Sequence, residues 1–169
     1  MRILYNPISV ILFFILIQVL ILNQIDLFGY IDRLVYLILI ITLPQSTPKW
    51  ILILYGFSIG LLLDLFEGNI GLNSSSLVFL SYIKPYLEKI TIPKNSVEDK
   101  DSLNLKNLGI SIFSLHAFSL IFIHNIFLFM LDYFQSFDIL FLILKIIISS
   151  LISFIVIIIF QIFGYKSRN

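Results

Sequence analysis

The chain has 169 residues, of which 59% are hydrophobic and 12% charged, and its mean hydropathy is +1.04. Soluble domains typically have about 45–50% apolar and about 25% charged residues, and the apolar residues here stand in long blocks, so lipid is the main solvent of the folded chain. The net charge of +1 gives no reason to expect nucleic acid as a partner, and the lack of cysteine excludes disulfides, thiolate metal sites and cysteine nucleophiles.

Six apolar segments, separated by polar breaks, are expected to form helices. In chain order they cover residues 3–22, 28–43, 50–66, 72–87, 108–133 and 137–163. A helix needs roughly 20 residues to cross a bilayer core, with about 17 as the lower limit; the second, third and fourth segments are therefore short. No small-residue cleavage site follows the first, which we interpret as an uncleaved helix. The predicted fold is a single all-α integral membrane domain, residues 1–169, arranged as a six-transmembrane-helix bundle.

The distribution of Lys and Arg predicts how this bundle is oriented. With six spans and both termini in the cytoplasm, nine of the eleven basic residues fall on the cytoplasmic side: Arg2, Lys49, Lys84, Lys89, Lys94, Lys100, Lys106, Lys166 and Arg168. Arg33 and Lys145 fall toward the outside. The polar stretch 88–107 is then a cytoplasmic loop. It is too short and too polar to fold alone, so we expect it to be mobile or bound to a partner.

Groups suited to catalysis are scarce in the sequence. His116 and His124 have no carboxylate three or four residues away on the same face, so hydrogen bonding to a neighbouring helix is preferred over a metal or catalytic role. Ser149, Ser150 and Ser153 are interpreted as small packing positions. There is no GxSxG elbow, no glycine-rich phosphate loop and no carboxylate pair deep in a span. We therefore predict that the protein is not an enzyme and uses no cofactor or metal.

The stretch SIGLLLDLFEGNIGLNSSSLVFLSY, which begins at Ser58, places an ionisable residue, Asp64, in an apolar run. A charge in a span costs at least about 2.5–3.5 kcal/mol at the helix centre and less near an end. The carboxylate either reaches the outer interface or is held against other helices. The tight turn EGNIGLN favours the second, because it places the start of the next helix beside Asp64. The free N–H groups there are ones that Asn73 or Ser74 can cap.

The segment GLLLDLFEGNIGLNSSSLVFLSYIKPYL resembles the central signature of the MreD family, the rod shape-determining membrane proteins of bacteria. In that family a glycine and an aspartate end one helix. A short turn with a glycine then leads into a polar-starting helix that ends near an aromatic residue. Gly60, Asp64, Gly71 and Tyr82 occupy those places here. The turn residues EGN depart from the family, in which a proline is common. The number and order of the predicted spans resemble the family over most of the chain, whereas the sequence motif itself covers about 28 residues.

The resemblance implies a non-catalytic scaffold of the cell-elongation machinery, in the bacterial inner (cytoplasmic) membrane and in contact with its lipid. Family members bind MreC, a scaffold with one membrane helix. Through MreC they connect MreB filaments to the transglycosylase RodA and its transpeptidase, and so help to control peptidoglycan synthesis and cell shape.

An alternative function follows from a further likeness of the family. MreD-like folds look similar to the substrate-binding subunit fold of energy-coupling-factor transporters, which has six helices. The chain would then be a transport subunit that captures a vitamin-like molecule near the outer face. Such subunits often have a tryptophan in a polar outer cavity, whereas Trp50 stands at the inner end of its segment.

Lys145 lies well inside the sixth predicted span. Its long stem can bring the ammonium group to about the depth of Asp64. One hypothesis is that these two residues pair, or share a hydrogen-bonded network with Asn73 and Ser74. The other is that Lys145 reaches the interface or pairs with Asp138 near the start of its own helix.

Overall fold

The computed structural model describes residues 35–68, 71–94, 96–132 and 139–166, and within these ranges all regular structure is helical. A 3-10 turn, Val35–Leu37, leads into the short helix α1, Ile38–Ile41. Four long helices follow: α2 Lys49–Glu67, α3 Leu72–Thr91, α4 Leu105–Asp132 and α5 Ile139–Lys166. The predicted span 3–22 and the first part of span 28–43 lie outside the described residues.

Among the described residues, three helices are long and apolar enough to cross a membrane: α2, α4 and residues Ile139–Gly164 of α5. The shortest, α2, has 19 residues. At 1.5 Å per residue it extends about 28 Å, close to the roughly 30 Å of a hydrocarbon core. α3 has 20 residues, but its buried face carries Asn, Ser, Lys and Glu side chains, and it is correspondingly less apolar. The chain is thus a helical membrane protein, and α3 has a more polar interior than its neighbours.

Apolar side chains cover the outside of the helices as well as the interior. Leu65, Leu140 and Ile90 are 72%, 70% and 80% exposed, respectively. So many exposed large apolar side chains are unusual for a soluble monomer and are solvated readily by lipid. Each long helix packs against the next in the chain. The core between them includes Leu63, Leu77, Leu80, Phe113, Leu120, Ile121 and Ile157.

The connection between α3 and α4 is anchored to the chain segment that follows α1. The N–H of Ser46 donates to the carbonyl of Asp99 over 2.9 Å, and the N–H of Leu103 donates to the carbonyl of Thr42 over 3.0 Å. The Leu103 side chain is buried. One apolar side chain and two backbone hydrogen bonds thus join the described part of this connection to the segment after α1, while mobility or partner binding of the loop stays a prediction.

Both flanking helices also extend into the region 88–107. α3 continues to Thr91, and α4 begins at Leu105. The first turn of α4 is capped by Asn104, whose Oδ1 accepts from the N–H of Asn107 over 2.9 Å. The helix is then interrupted at Gly109, with φ 75° and ψ 165°. The long regular part of α4 follows this break, close to the predicted start of the fifth span at residue 108.

α2 and α3 are in backbone contact along one face. A Cβ atom on Gly60 would lie 2.4 Å from the Cα of Ser74, and one on Gly56 would lie 2.8 Å from the carbonyl oxygen of Leu77. Spacing of four residues places Gly56, Gly60 and Asp64 on the same side of α2. Small residues in this pattern let membrane helices approach closely. Gly60 was a candidate from the sequence, whereas Gly56 was not.

Gly60→Ala is expected to lower the free energy of unfolding by about 1–3 kcal/mol, because the added methyl group overlaps backbone atoms that cannot move aside. Thermal unfolding of the detergent-solubilised protein measures the loss. Gly164→Ala is the matched control, since Gly164 lies in α5 and has nothing within 4 Å of the added Cβ. Equal melting temperatures for the two variants would contradict a backbone contact at Gly60.

Candidate functional site

Asp64, near the end of α2, caps the first turn of α3. Its Oδ1 accepts from the N–H of Asn73 over 2.8 Å, and its Oδ2 accepts from the N–H and the hydroxyl of Ser74 over 3.0 and 2.5 Å. The first N–H groups of a helix have no intrahelical partner and carry a partial positive charge. Asp64 satisfies two of them at once, which explains how a carboxylate is accommodated with 4% of its surface exposed.

The cap comes from another helix because the residue before α3 is a glycine. Gly71 has φ 79° and ψ 6°, a left-handed conformation that favours glycine, and it has no side chain with which to cap the helix. The expectation that Asn73 or Ser74 caps α3 is therefore wrong. Both lie within its first turn, and Ser74 donates to Asp64. The interpretation that Asp64 is held against another helix agrees with this geometry.

A line of buried polar groups continues from the cap into the bundle. The Nδ2 of Asn73 donates to Oε2 of Glu67 over 2.7 Å, and the hydroxyl of Tyr36 donates to Oδ1 of Asn73 over 3.2 Å. The same hydroxyl lies 3.3 Å from Nε2 of His124. Which of these two atoms donates depends on the tautomer of His124, and in either case the contact joins the 3-10 turn to α4. The line joins the 3-10 turn to α2, α3 and α4.

Tyr82 lies apart from this cluster. Its side chain is 52% exposed on the outer surface of α3, and its ring centre is 5.8 Å from that of Tyr86. The resemblance aligned Tyr82 with the aromatic position of the family signature. In this structure that position lies near the middle of α3, on its exposed surface, and does not contribute to the cap.

Lys145 also has partners away from Asp64. Its Nζ lies 3.7 Å from Oδ2 of Asp132 and 4.5 Å from the ring centre of Phe129. Asp64 is bound instead by the first turn of α3, so the hypothetical pair between Asp64 and Lys145 is not formed. The network of Asp64 with Asn73 and Ser74 is present. Asp138, the other proposed partner of Lys145, lies outside the described residues.

Asp64→Asn and Lys145→Met are therefore expected to have additive effects on the free energy of unfolding. Substitutions that share no partner usually add within about 0.3–0.5 kcal/mol. A double-mutant cycle, measured by thermal unfolding in detergent, gives the interaction energy directly. A coupling well above this range would show that the two charges interact despite their separate partners.

A second buried polar cluster lies toward the other end of α3, and the sequence analysis missed it. Lys84 has no exposed surface. Its Nζ donates to the carbonyl of Leu43 over 2.9 Å and forms an ion pair with Glu88, one turn later in the helix. The sequence analysis counted Lys84 as a cytoplasmic charge. The sequence does contain a signal for this ion pair: two opposite charges stand four residues apart at the end of a predicted span, so they lie on the same face of the helix.

The histidines form hydrogen bonds with other elements, as expected. Thr91 Oγ1 lies 2.9 Å from Nδ1 of His116, and His124 contacts Tyr36 as described above. Between α4 and α5, Nδ2 of Asn125 donates to Oγ of Ser150 over 2.9 Å. All three serines proposed as packing positions in α5 are fully buried. Within the described ranges, no three His, Cys, Asp or Glu side chains form a group that could hold a metal ion.

These features define a class: a helical membrane protein in which polar groups of the described residues join one helix to another. We call α2, the turn after it and α3 the capped hairpin, because backbone contact at Gly60 and the Asp64 cap hold the two helices together. No protein-family model, curated protein or solved structure matches the chain.

Proposed function

We propose that the protein is a non-catalytic scaffold subunit of the bacterial cell-elongation machinery, similar to the MreD family. The observation that carries the proposal is the cap formed by Asp64. It gives the glycine and the aspartate of the signature a joint physical role, since Gly60 lets α3 approach and Asp64 then satisfies its first N–H groups. Gly71 supplies the left-handed residue that precedes α3.

A rigid hairpin is suited to docking a membrane helix of a partner. In lipid, helices associate through close packing and hydrogen bonds rather than through the hydrophobic effect. A surface that is already ordered loses less conformational entropy on binding. The proposed partner is an MreC-like protein with a single membrane helix. Through it the chain would connect to MreB filaments, the transglycosylase RodA and its transpeptidase.

The proposal includes six spans, with both termini and the loop 88–107 in the cytoplasm. The chain has no cysteine, so single-cysteine variants provide a direct test. The cells are first treated so that their outer membrane is permeable and their inner membrane stays intact. A membrane-impermeant maleimide should then label Ser75→Cys, which lies at the exposed outer end of α3. Ser102→Cys, exposed in the loop, should be labelled only after the inner membrane is opened. The reverse pattern would contradict this topology.

Depletion of the protein in the cells that make it tests the function. Rod-shaped cells should become round, and the protein should co-purify in mild detergent with an MreC-like partner. Complementation with Gly60→Ala or Asp64→Asn should restore shape less well than complementation with the control Gly164→Ala. Normal shape after full depletion, together with a new requirement for a vitamin, would reject the scaffold and support the transport subunit.

A further inference from the structure

An apolar groove lies on the outward side of the capped hairpin. It has a volume of about 420 Å³ and is lined by Trp50, Ile53, Leu54 and Phe57 of α2 and by Val78 of α3. Trp50, Leu54 and Phe57 are 67%, 57% and 45% exposed. The groove is shallow and open to the surrounding medium. The lining side chains have the chemistry to hold a hydrocarbon chain.

Basic and aromatic residues lie at one end of this groove. Lys49 precedes Trp50, and its Nζ lies 3.3 Å from the hydroxyl of Tyr86 and 4.7 Å from the centre of that ring. Lys89 stands three residues after Tyr86 on α3, so the two share a face of the helix. Both lysines are exposed. Among the described residues neither lysine forms an ion pair. Glu88, the carboxylate next to Lys89 in the chain, is paired with Lys84 instead.

We propose that this face binds an anionic glycerophospholipid. An acyl chain lies in the groove, and the headgroup phosphate contacts Lys49 and Lys89. Tyr86 accepts a hydrogen bond from Lys49 and thereby holds that ammonium group at this end of the groove. The two lysines lie at one end of an otherwise apolar groove. An anionic lipid has the same arrangement, a charged headgroup at one end of an apolar acyl chain. Tryptophan, tyrosine and lysine are the residues that favour the headgroup level of a bilayer.

This site is separate from the Asp64 cap. Lys49 begins α2, whereas Asp64 lies close to its other end, and at 1.5 Å per residue the two are about 22 Å apart along the helix. Lipid binding therefore does not depend on the proposed scaffold function. If the predicted orientation is correct, the site faces the cytoplasmic leaflet, where anionic headgroups meet the positive side of the protein.

Native mass spectrometry of the full chain in detergent tests the proposal. The probes are phosphatidylglycerol and phosphatidylcholine with identical acyl chains. We expect the parent protein to bind phosphatidylglycerol more tightly. The double variant Lys49→Gln, Lys89→Gln should weaken that binding by roughly 30-fold, about fivefold for each lysine near a headgroup, and should leave phosphatidylcholine binding nearly unchanged.

The control is Lys100→Gln with Lys106→Gln, which removes the same charge from two exposed lysines elsewhere. An equal loss in this control would mean diffuse attraction and would overturn the site. Equal binding of both lipids to the parent would overturn it as well. Val78→Trp, which fills the groove, should weaken both lipids; unchanged binding of both would show that no acyl chain occupies the groove. Circular dichroism and a single elution peak confirm that each variant is folded.

Discussion

Lys84→Met is expected to lower the free energy of unfolding by about 3–5 kcal/mol, the range for removing one member of a buried ion pair. The ammonium group of Lys84 has no exposed surface and contacts both Glu88 and the carbonyl of Leu43. Its removal leaves the Glu88 carboxylate buried without a countercharge and the carbonyl without a donor. Thermal unfolding in detergent measures the loss.

The companion substitution separates the pair from the packing around it. Glu88→Leu alone should also destabilise strongly, because it leaves the Lys84 ammonium uncompensated. The double variant should recover much of the loss, since an apolar replacement of a complete buried pair is often neutral or stabilising. Lys106→Met removes an exposed lysine and serves as the control. Additive losses in the double variant would show that Lys84 and Glu88 do not depend on each other.

Asp64→Asn is expected to lower the free energy of unfolding by about 1–3 kcal/mol, the cost of leaving one buried donor without a partner. The carboxylate accepts through both oxygens, from the amides of Asn73 and Ser74. An amide side chain presents one oxygen and one NH₂ group, so one of the two backbone N–H groups faces another donor. The first turn of α3 should then open more often.

Two readouts distinguish this cap from a general loss of packing. Hydrogen exchange should become faster at the amides of Asn73 and Ser74, and this increase should be larger than the increase at amides in the middle of α3. Ser74→Ala, which removes the hydroxyl bond of 2.5 Å but keeps both backbone bonds, should be milder than Asp64→Asn. Asp101→Asn replaces an exposed loop carboxylate and should change neither stability nor exchange. Unchanged exchange at the start of α3 in Asp64→Asn would contradict the cap.

The two predictions concern opposite ends of the same helix. α3 is held at its first turn by a carboxylate from α2 and near its last turns by an ion pair that also reaches the segment after α1. Both attachments are hydrogen bonds or ion pairs of charged side chains, whereas helices in lipid are commonly held together by the packing of apolar side chains. This arrangement fixes the position and tilt of α3, because neither end of the helix can move without exposing a charge to a medium that does not solvate it.

Much of the architecture was predictable from the sequence. The apolar blocks predicted the helices, and α2 and α5 begin and end within three residues of the predicted spans 50–66 and 137–163. The tight turn after Asp64 favoured a carboxylate held against the next helix, whereas the backbone contact at Gly60 became visible only in the structure. The predicted features are local, since hydropathy and turn chemistry are properties of neighbouring residues.

Partner choice, in contrast, was decided by the tertiary structure. Asp64 caps α3, Lys145 contacts Asp132, and Tyr36 bridges Asn73 and His124 across separations of 37 and 88 residues. The sequence shows which polar groups must be satisfied in an apolar medium but not which of several reachable partners lies within about 3 Å. That depends on the rotation and spacing of packed helices, which arise from many side-chain contacts at once.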